Sequence, residues 1–336
     1  DFTINAVAIH PVTREVRDPF RGRDDLANGV IRSVGEAAER MREDRLRALR
    51  GIRFAARFGF KVDEGTWRAI CDSAPHMGRL SAERVKQEIE KTMEQVRCPS
   101  QAFAMWRESG AFDSLIPSLA GATDIGLATV DHLAMPVATG TARAARAGLP
   151  IAKANRRILR LIAMFAASDP GGVARTLQGL RFSNADIAWI GGIISSWASM
   201  LPEMRFALAD GGPPPDAVLR RWAGLAGRTR LASLLRLADA RWAAERAAGQ
   251  QAPPATLVHS VYRRAVRIAY RDAIEIGDLA VDGRDMERLG LKGPAVGITL
   301  RKLLETVITD PASNSREILL AMAATSAGET RDSKPN

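Results

Sequence analysis

The stretch Glu43-Asp44-Arg45-Leu46-Arg47-Ala48-Leu49-Arg50-Gly51-Ile52-Arg53, running on through Phe54-Ala55-Ala56-Arg57-Phe58 to Gly59, decides how the rest of the chain is read. Its period predicts one helix over residues 40–59, with Leu46, Leu49, Ile52, Phe54 and Ala56 on an apolar side, arginines opposite, and Gly59 as the stop. Steps of three place Asp44, Arg47 and Arg50 along one face, with Arg53 one step further. A carboxylate acceptor beside a guanidinium donor matches the pairing edge of cytosine, which offers a donor at N4 and an acceptor at N3. It equally matches adenine, with its donor at N6 and acceptor at N1. Uracil and guanine reverse that order, leaving two unmatched contacts at about 1–3 kcal/mol each. The same residues also fit a solvated arginine face whose Glu43 and Asp44 favour the dipole of a helix start.

Upstream of this stretch lie the strand signals. Asp1-Phe2-Thr3-Ile4-Asn5-Ala6-Val7-Ala8-Ile9 alternates, residues 14–17 form a short run after Pro11, and residues 30–34 follow the turn pair Asn28-Gly29. Together they predict a piece of antiparallel sheet. Downstream, helical periods predict helices near 63–74, 81–96, 98–109, 154–167, 171–180, 184–200, 216–226, 228–247, 256–273 and 296–308. Breakers stand at 211–215 and 249–254, the second being the better linker, and residues 326–336 read as a disordered polar end. The fold class expected is mainly α: a small antiparallel β remnant followed by an elongated all-helical body.

The 336 residues, 46% hydrophobic and 26% charged, suffice for two or more packed domains. Lys and Arg number 48 against 38 acidic residues, a net charge of +10, and only seven of the 48 are Lys. Guanidinium-rich surfaces favour phosphates and base edges. The excess is largest in residues 111–250, at 16 against 10. Two cysteines 27 residues apart and four histidines exclude a zinc cluster and a disulfide scaffold, so a cytoplasmic protein is expected. No apolar run reaches the ~18 residues of a membrane span, and no leader opens the chain.

Several segments in order resemble one family. They are Asp1-Phe2-Thr3-Ile4-Asn5-Ala6, then Asp18-Pro19-Phe20-Arg21-Gly22-Arg23-Asp24-Asp25-Leu26 ending in Arg32, then Glu43 to Phe60, then Ser81-Ala82-Glu83-Arg84. Leu180 to Ala185 and Val281 to Gly297 continue the series. The chain resembles the class II tRNA nucleotidyltransferases (CCA-adding enzymes) and bacterial poly(A) polymerases across almost its whole length. The resemblance implies that Asp44 and Arg47 read the incoming base, that Arg50 and Arg53 support the nucleotide, and that Glu43 orients an arginine of the set. Asp1 and Asn5 match the segment lining the ribose side, although a strand-end residue satisfying its own backbone explains them equally. The segment holding Asp18, Gly22 and Asp25 matches a mobile loop that changes shape between adding C and adding A, and ordinary turn chemistry explains it too.

The domains implied are residues 1–35 as the end of a nucleotidyltransferase head, 36–112 as a nucleotide-selecting neck, 113–250 as a helical body, 251–325 as a tRNA-anchoring tail and 326–336 as a disordered end. Arg143, Arg146, Lys153, Arg156, Arg157 and Arg160 are expected to meet phosphates of the tRNA 3′ end and acceptor arm, with steep salt dependence. The turn over residues 290–297 reads evenly as a phosphate-binding helix start or a plain connector.

Two departures from the family stand out. Arg45 occupies the place where the family commonly has proline, and Met164 to Asp169 lacks the histidine of a body metal site found in some relatives. The resemblance further implies CTP and ATP as substrates and Mg2+ held by an Asp-x-Asp pair upstream of Asp1. No Asp-x-Asp occurs in the sequence. The expectation is therefore an N-terminally truncated chain with no catalytic or metal-binding residue of its own and no turnover alone. The reaction expected of the family is addition of C and A to tRNA 3′ ends. The alternatives are an A-adding enzyme or poly(A) polymerase, and a non-catalytic RNA-binding fragment.

Overall fold

In a computed structural model, which describes residues 1–133, 149–209 and 211–332, the chain divides into two compact units. The first comprises Asp1–Ala198 with Ala240–Gln251, the second Ser199–Asp239 with Ala252–Asn336. The third crossing, at Gln251 and Ala252, falls within the 249–254 breaker, whereas the expected body over 113–250 is shared between the two units.

The first unit opens with a 3-10 turn, Thr3–Asn5, and two short strands, β1 (Ala8–Ile9) and β2 (Val16–Arg17), paired antiparallel. The long alternating strand expected at the start is thus broken: Phe2 bridges Ser33, and the chain then turns. Helix α1 (Gly22–Asn28) leads to β3 (Val30–Ile31). Strand β3 pairs parallel with β4 (Lys61–Val62), a correction to the antiparallel expectation. Parallel pairing requires a crossover, which here contains the residues of the decisive stretch.

That stretch is two helices instead of one: α2 (Ala37–Glu43) and α3 (Leu46–Phe58), separated by Asp44 in an extended conformation. On α3, Leu46, Ala48, Leu49, Ile52 and Ala55 are buried, and the helix packs on α5 (Ala82–Gln95) and α6 (Pro99–Glu108). Gly51 is where the buried Phe2 ring crosses α3: a Cβ there would lie 2.9 Å from Phe2 Cζ. Phe2 also meets Phe54 edge to face at 6.0 Å. The unit continues with α4 (Glu64–Ser73), capped by Asp63, and, after α6, with α7 (Ala111–Leu115) and α8 (Asp124–Ala128). Trp106, Phe103 and Phe112 form an aromatic cluster where α6 meets α7.

Next come α9 (Leu149–Phe165), α10 (Pro170–Gly179) and α11 (Asn184–Ala207). Then follow α12 (Asp216–Ala226), α13 (Arg228–Ala247) and α14 (Ala255–Arg271). In the second unit α12 packs on α14. A separate core of Val281, Met286, Leu291, Leu300, Leu303, Val307 and Leu319 joins α15 (Gly283–Arg288), α16 (Pro294–Thr309) and α17 (Arg316–Asp332). At its edge Asp285 completes a capping box with Asp282 and accepts from Arg288 and Arg316. Of the disordered end expected from residue 326, residues 326–332 belong to α17, and the rest lies outside the described residues. Among the described residues no helix is long and apolar enough to cross a membrane.

Candidate nucleotide-selecting site

The break at Asp44 builds the site. The N–H of Asp44 closes α2 on the Arg40 carbonyl, while its side chain turns to the next helix: Oδ1 accepts from the Leu46 N–H at 3.1 Å. Its other oxygen, Oδ2, accepts from Arg84 Nη2 at 2.7 Å. Burial pushes the Asp44 carboxyl upward, but the bonds from Arg84 and Leu46 and the charges of Arg84 and Arg47 outweigh it and hold the group below its ordinary range.

Arg47 is half-buried and held from three sides. Its Nε donates to Asp1 Oδ1 at 3.1 Å, and Nη1 donates to the Arg40 carbonyl at 2.8 Å and to Glu43 Oε2 at 2.7 Å. Arg40 also donates to Glu43, and the hydrogen bonds from Arg47 and Arg40 lower the Glu43 carboxyl. Arg50 Nη2 reaches the other oxygen of Asp1 at 2.7 Å, and Arg50 Nε is buried with no hydrogen-bond partner. Asp1, Arg40, Glu43, Arg47 and Arg50 therefore form one side-chain network, and Asp44, held by Arg84 and the Leu46 N–H, stands next to it. Asp44 acceptor positions and the Nη2 group of Arg47 lie outside these bonds, a preorganised acceptor and donor of the kind that reads a base edge.

Arg84 and Arg40 are contributors that sequence reasoning missed. Arg84 stands 40 residues from Asp44, so no spacing reveals the pair, and its position at the start of α5 was the available signal. Arg53 is a correction. It is buried, with Nε on Glu88 Oε2 at 2.7 Å and its guanidinium 4.5 Å from the Phe54 ring centroid, so it faces the core and not a nucleotide. Asn5 is exposed at the end of the 3-10 turn.

The segment expected as a loop around Asp18, Gly22 and Asp25 is a turn over residues 18–21 followed by α1, on which Gly22 and Asp25 lie. Asp18 accepts from the N–H groups of Gly22 and Arg23 at the start of α1, and Asp25 is buried, accepting from Thr3 Oγ1 at 2.7 Å and from Arg32. Gly22 is pressed on the Thr3 carbonyl, where a Cβ would come within 2.1 Å.

Of the expected phosphate contacts, Arg143 and Arg146 lie outside the described residues, and Lys153 and Arg156 lie on α9, their side chains outside the described ones. Arg157 is half-buried and paired with Glu90 and Glu94, each at 3.5 Å. Arg160 is a correction: it is fully buried and donates to the carbonyls of Met93, Val96 and Arg97. These are carbonyls that the end of α5 leaves unbonded, so Arg160 closes a helix instead of holding RNA.

The chain is similar to known proteins along most of its length. Residues 1–32 match the poly A polymerase head domain, and residues 59–122 match the probable RNA and SrmB-binding site of polymerase A. The CCA-adding enzyme of Geobacillus kaustophilus is 28% identical over 323 residues, 96% of this chain and 69% of that protein. Over almost its whole length the chain is thus similar to CCA-adding enzymes. The CCA-adding enzyme of Leuconostoc mesenteroides is 45% identical over 93 residues, so the match covers 28% of this chain and only 23% of that relative. Among solved structures, the Bacillus stearothermophilus CCA-adding enzyme in complex with CTP aligns with a TM-score of 0.66 and 26% identity, over 99% of this chain and 73% of its own. The Thermotoga maritima CCA-adding enzyme complexed with tRNA shares the fold at a TM-score of 0.59 and 20% identity.

Proposed function

We propose that the chain selects the nucleotide and holds the RNA in a template-independent nucleotidyltransferase that adds C and A to the 3′ end of tRNA. The observation that carries the proposal is the locked pair: Arg47 fixed by Asp1, Glu43 and the Arg40 carbonyl, beside Asp44 fixed by Arg84. A guanidinium whose orientation is already set loses little freedom on meeting a base. Its donor is then offered to N3 of cytosine or N1 of adenine, while Asp44 accepts from the exocyclic amine. Likeness to an enzyme solved with CTP supports a nucleotide at this site. CTP and ATP are the proposed substrates and the tRNA acceptor arm the proposed partner. Magnesium enters only because the family implies it. Among the described residues no group of three or more His, Cys, Asp or Glu could hold a metal ion, so no step is assigned to one.

Equilibrium binding of CTP, ATP, UTP and GTP to the 336-residue chain tests the reading. CTP and ATP should bind at least about tenfold more tightly than UTP and GTP, since each mismatched contact costs about 1–3 kcal/mol. In Asp44→Asn the amide can turn its donor toward a carbonyl, and the preference should largely disappear. Equal binding of all four by the wild type, or an unchanged preference in D44N, would sink the proposal.

A further inference from the structure

We propose that Arg42, Arg45 and His76 form a second, phosphate-binding cleft one residue away from the base-reading pair. The end of α2, the α2–α3 turn and the end of α4 enclose a cleft of about 250 Å3 lined by these three residues together with Met41, Asp72 and Ser73. It is smaller than the ~300–1,000 Å3 of pockets for drug-sized ligands, which points to a compact group.

The charge pattern identifies that group. Every neighbouring arginine of the corner is matched to a carboxylate: Arg40 and Arg47 to Glu43, Arg47 and Arg50 to Asp1, Arg84 to Asp44. Arg42 and Arg45 are the exceptions. Among the described residues neither has a carboxylate within ion-pair distance, and the hydrogen bond Arg45 makes is to Ser73 Oγ at 3.3 Å. Asp72 is the acidic residue on the cleft, so two guanidiniums and an imidazole face one carboxylate and the local charge is positive. Ser73, already accepting from Arg45, has its O–H left to donate. Guanidinium forks, an imidazole and a hydroxyl are donors suited to tetrahedral phosphate oxygens, which guanidinium engages bidentately.

A phosphate of the RNA backbone and free pyrophosphate share this chemistry, and the experiment separates them. The cleft needs only an anion, so it stands or falls apart from the base-reading proposal. Inorganic pyrophosphate, and separately tRNA lacking its terminal CCA, are titrated into the 336-residue chain and into R42Q/R45Q. If free pyrophosphate is the ligand, its affinity falls about tenfold or more in the variant. If the ligand is an RNA phosphate, tRNA affinity falls by a similar factor and its salt slope drops by about one, while pyrophosphate is unaffected. Unchanged affinity for both overturns the proposal. Circular dichroism melts show whether the double variant is folded. If it is not, R42Q alone decides by the same criteria, because the Arg42 side chain is exposed and, among the described residues, makes no ion pair.

Discussion

Arg47 and Arg53 stand six residues apart on α3 and look alike in the sequence, yet they do opposite things. Arg53 has a side chain 6% exposed and is sealed against a Glu88 that is 2% exposed, with Lys91 on the other glutamate oxygen. Arg47 is 21% exposed and is shared among two carboxylates and a carbonyl, with a donor left over. The first arrangement belongs to the packing of α3 on α5. The second is an orienting frame, because its acceptors fix the guanidinium without enclosing it. Steps of three residues drift backward on a helix of 3.6 residues per turn, so Arg53 lies about 120° around the axis from Arg47. The same spacing that brings Arg47 and Arg50 together on Asp1 carries Arg53 into the core.

The sharpest way to break this contrast is to remove the acid from each arginine in turn. Glu88→Ala leaves a buried guanidinium without its carboxylate and should cost about 3–5 kcal/mol, read as a lower urea midpoint at unchanged slope. Glu43→Ala removes a half-exposed partner while Asp1 and the Arg40 carbonyl still hold Arg47, so its midpoint should stay near that of the wild type. The division between core and frame is wrong if E43A destabilises the chain as much as E88A does.

Acid sharpens the same comparison. Glu43 and Asp44 both sit below their ordinary carboxyl range, Glu43 through hydrogen bonds from Arg47 and Arg40, Asp44 because Arg84 and the Leu46 N–H outweigh burial. A carboxyl depressed in the folded state binds its proton more readily when unfolded. Its stabilising contribution is therefore complete above the unfolded value, near 4, and is lost as pH falls through the lower folded value. Melting temperatures should fall below about pH 4, and Glu43→Gln should flatten that part of the profile. An identical profile in E43Q would show that this carboxylate does not link the frame to pH.

Much of the helical part was legible because amphipathic period and breakers are local signals. Downstream of residue 60 ten helices were expected and all ten have counterparts among the described elements, with ends shifted by up to seven residues, whereas the helix expected over 40–59 is split in two. The shortest elements were not: α7, α8 and α15 span only five or six residues, too few to display a period. Strand β4 was missed because two residues cannot alternate and its partner β3 lies thirty residues upstream. In the site, spacing put Arg47 and Arg50 on α3, whereas Asp44, expected on the same helix face, stands extended before that helix. The roles of Arg84, Arg53 and Arg160 could not be read from spacing, because partners 40, 35 and 67 residues away in sequence determine them. Burial separates an arginine that holds a ligand from one that closes a helix, and composition does not report it.

The smallest effect tests how the frame begins. Arg45, at the position where the family commonly has proline, has φ −65 and ψ −18, and the preceding Asp44 is extended with ψ 102. The first angle is the one a pyrrolidine ring imposes, and the extended conformation is what a residue before proline prefers. The Arg45 N–H makes no hydrogen bond, whereas its carbonyl accepts from Ala48 and so stays available to a proline. Arg45→Pro should therefore reduce the freedom of the unfolded chain without straining the folded one, raising stability by about 0.4–1 kcal/mol. The variant keeps Asp44, Arg47 and Arg84 in place, so the preference for CTP and ATP over UTP and GTP should survive. It also removes one of the two unmatched guanidiniums of the neighbouring cleft, so phosphate binding should weaken while the fold tightens. A lower melting temperature in R45P would show that the Ser73 contact matters more to this corner than backbone freedom does.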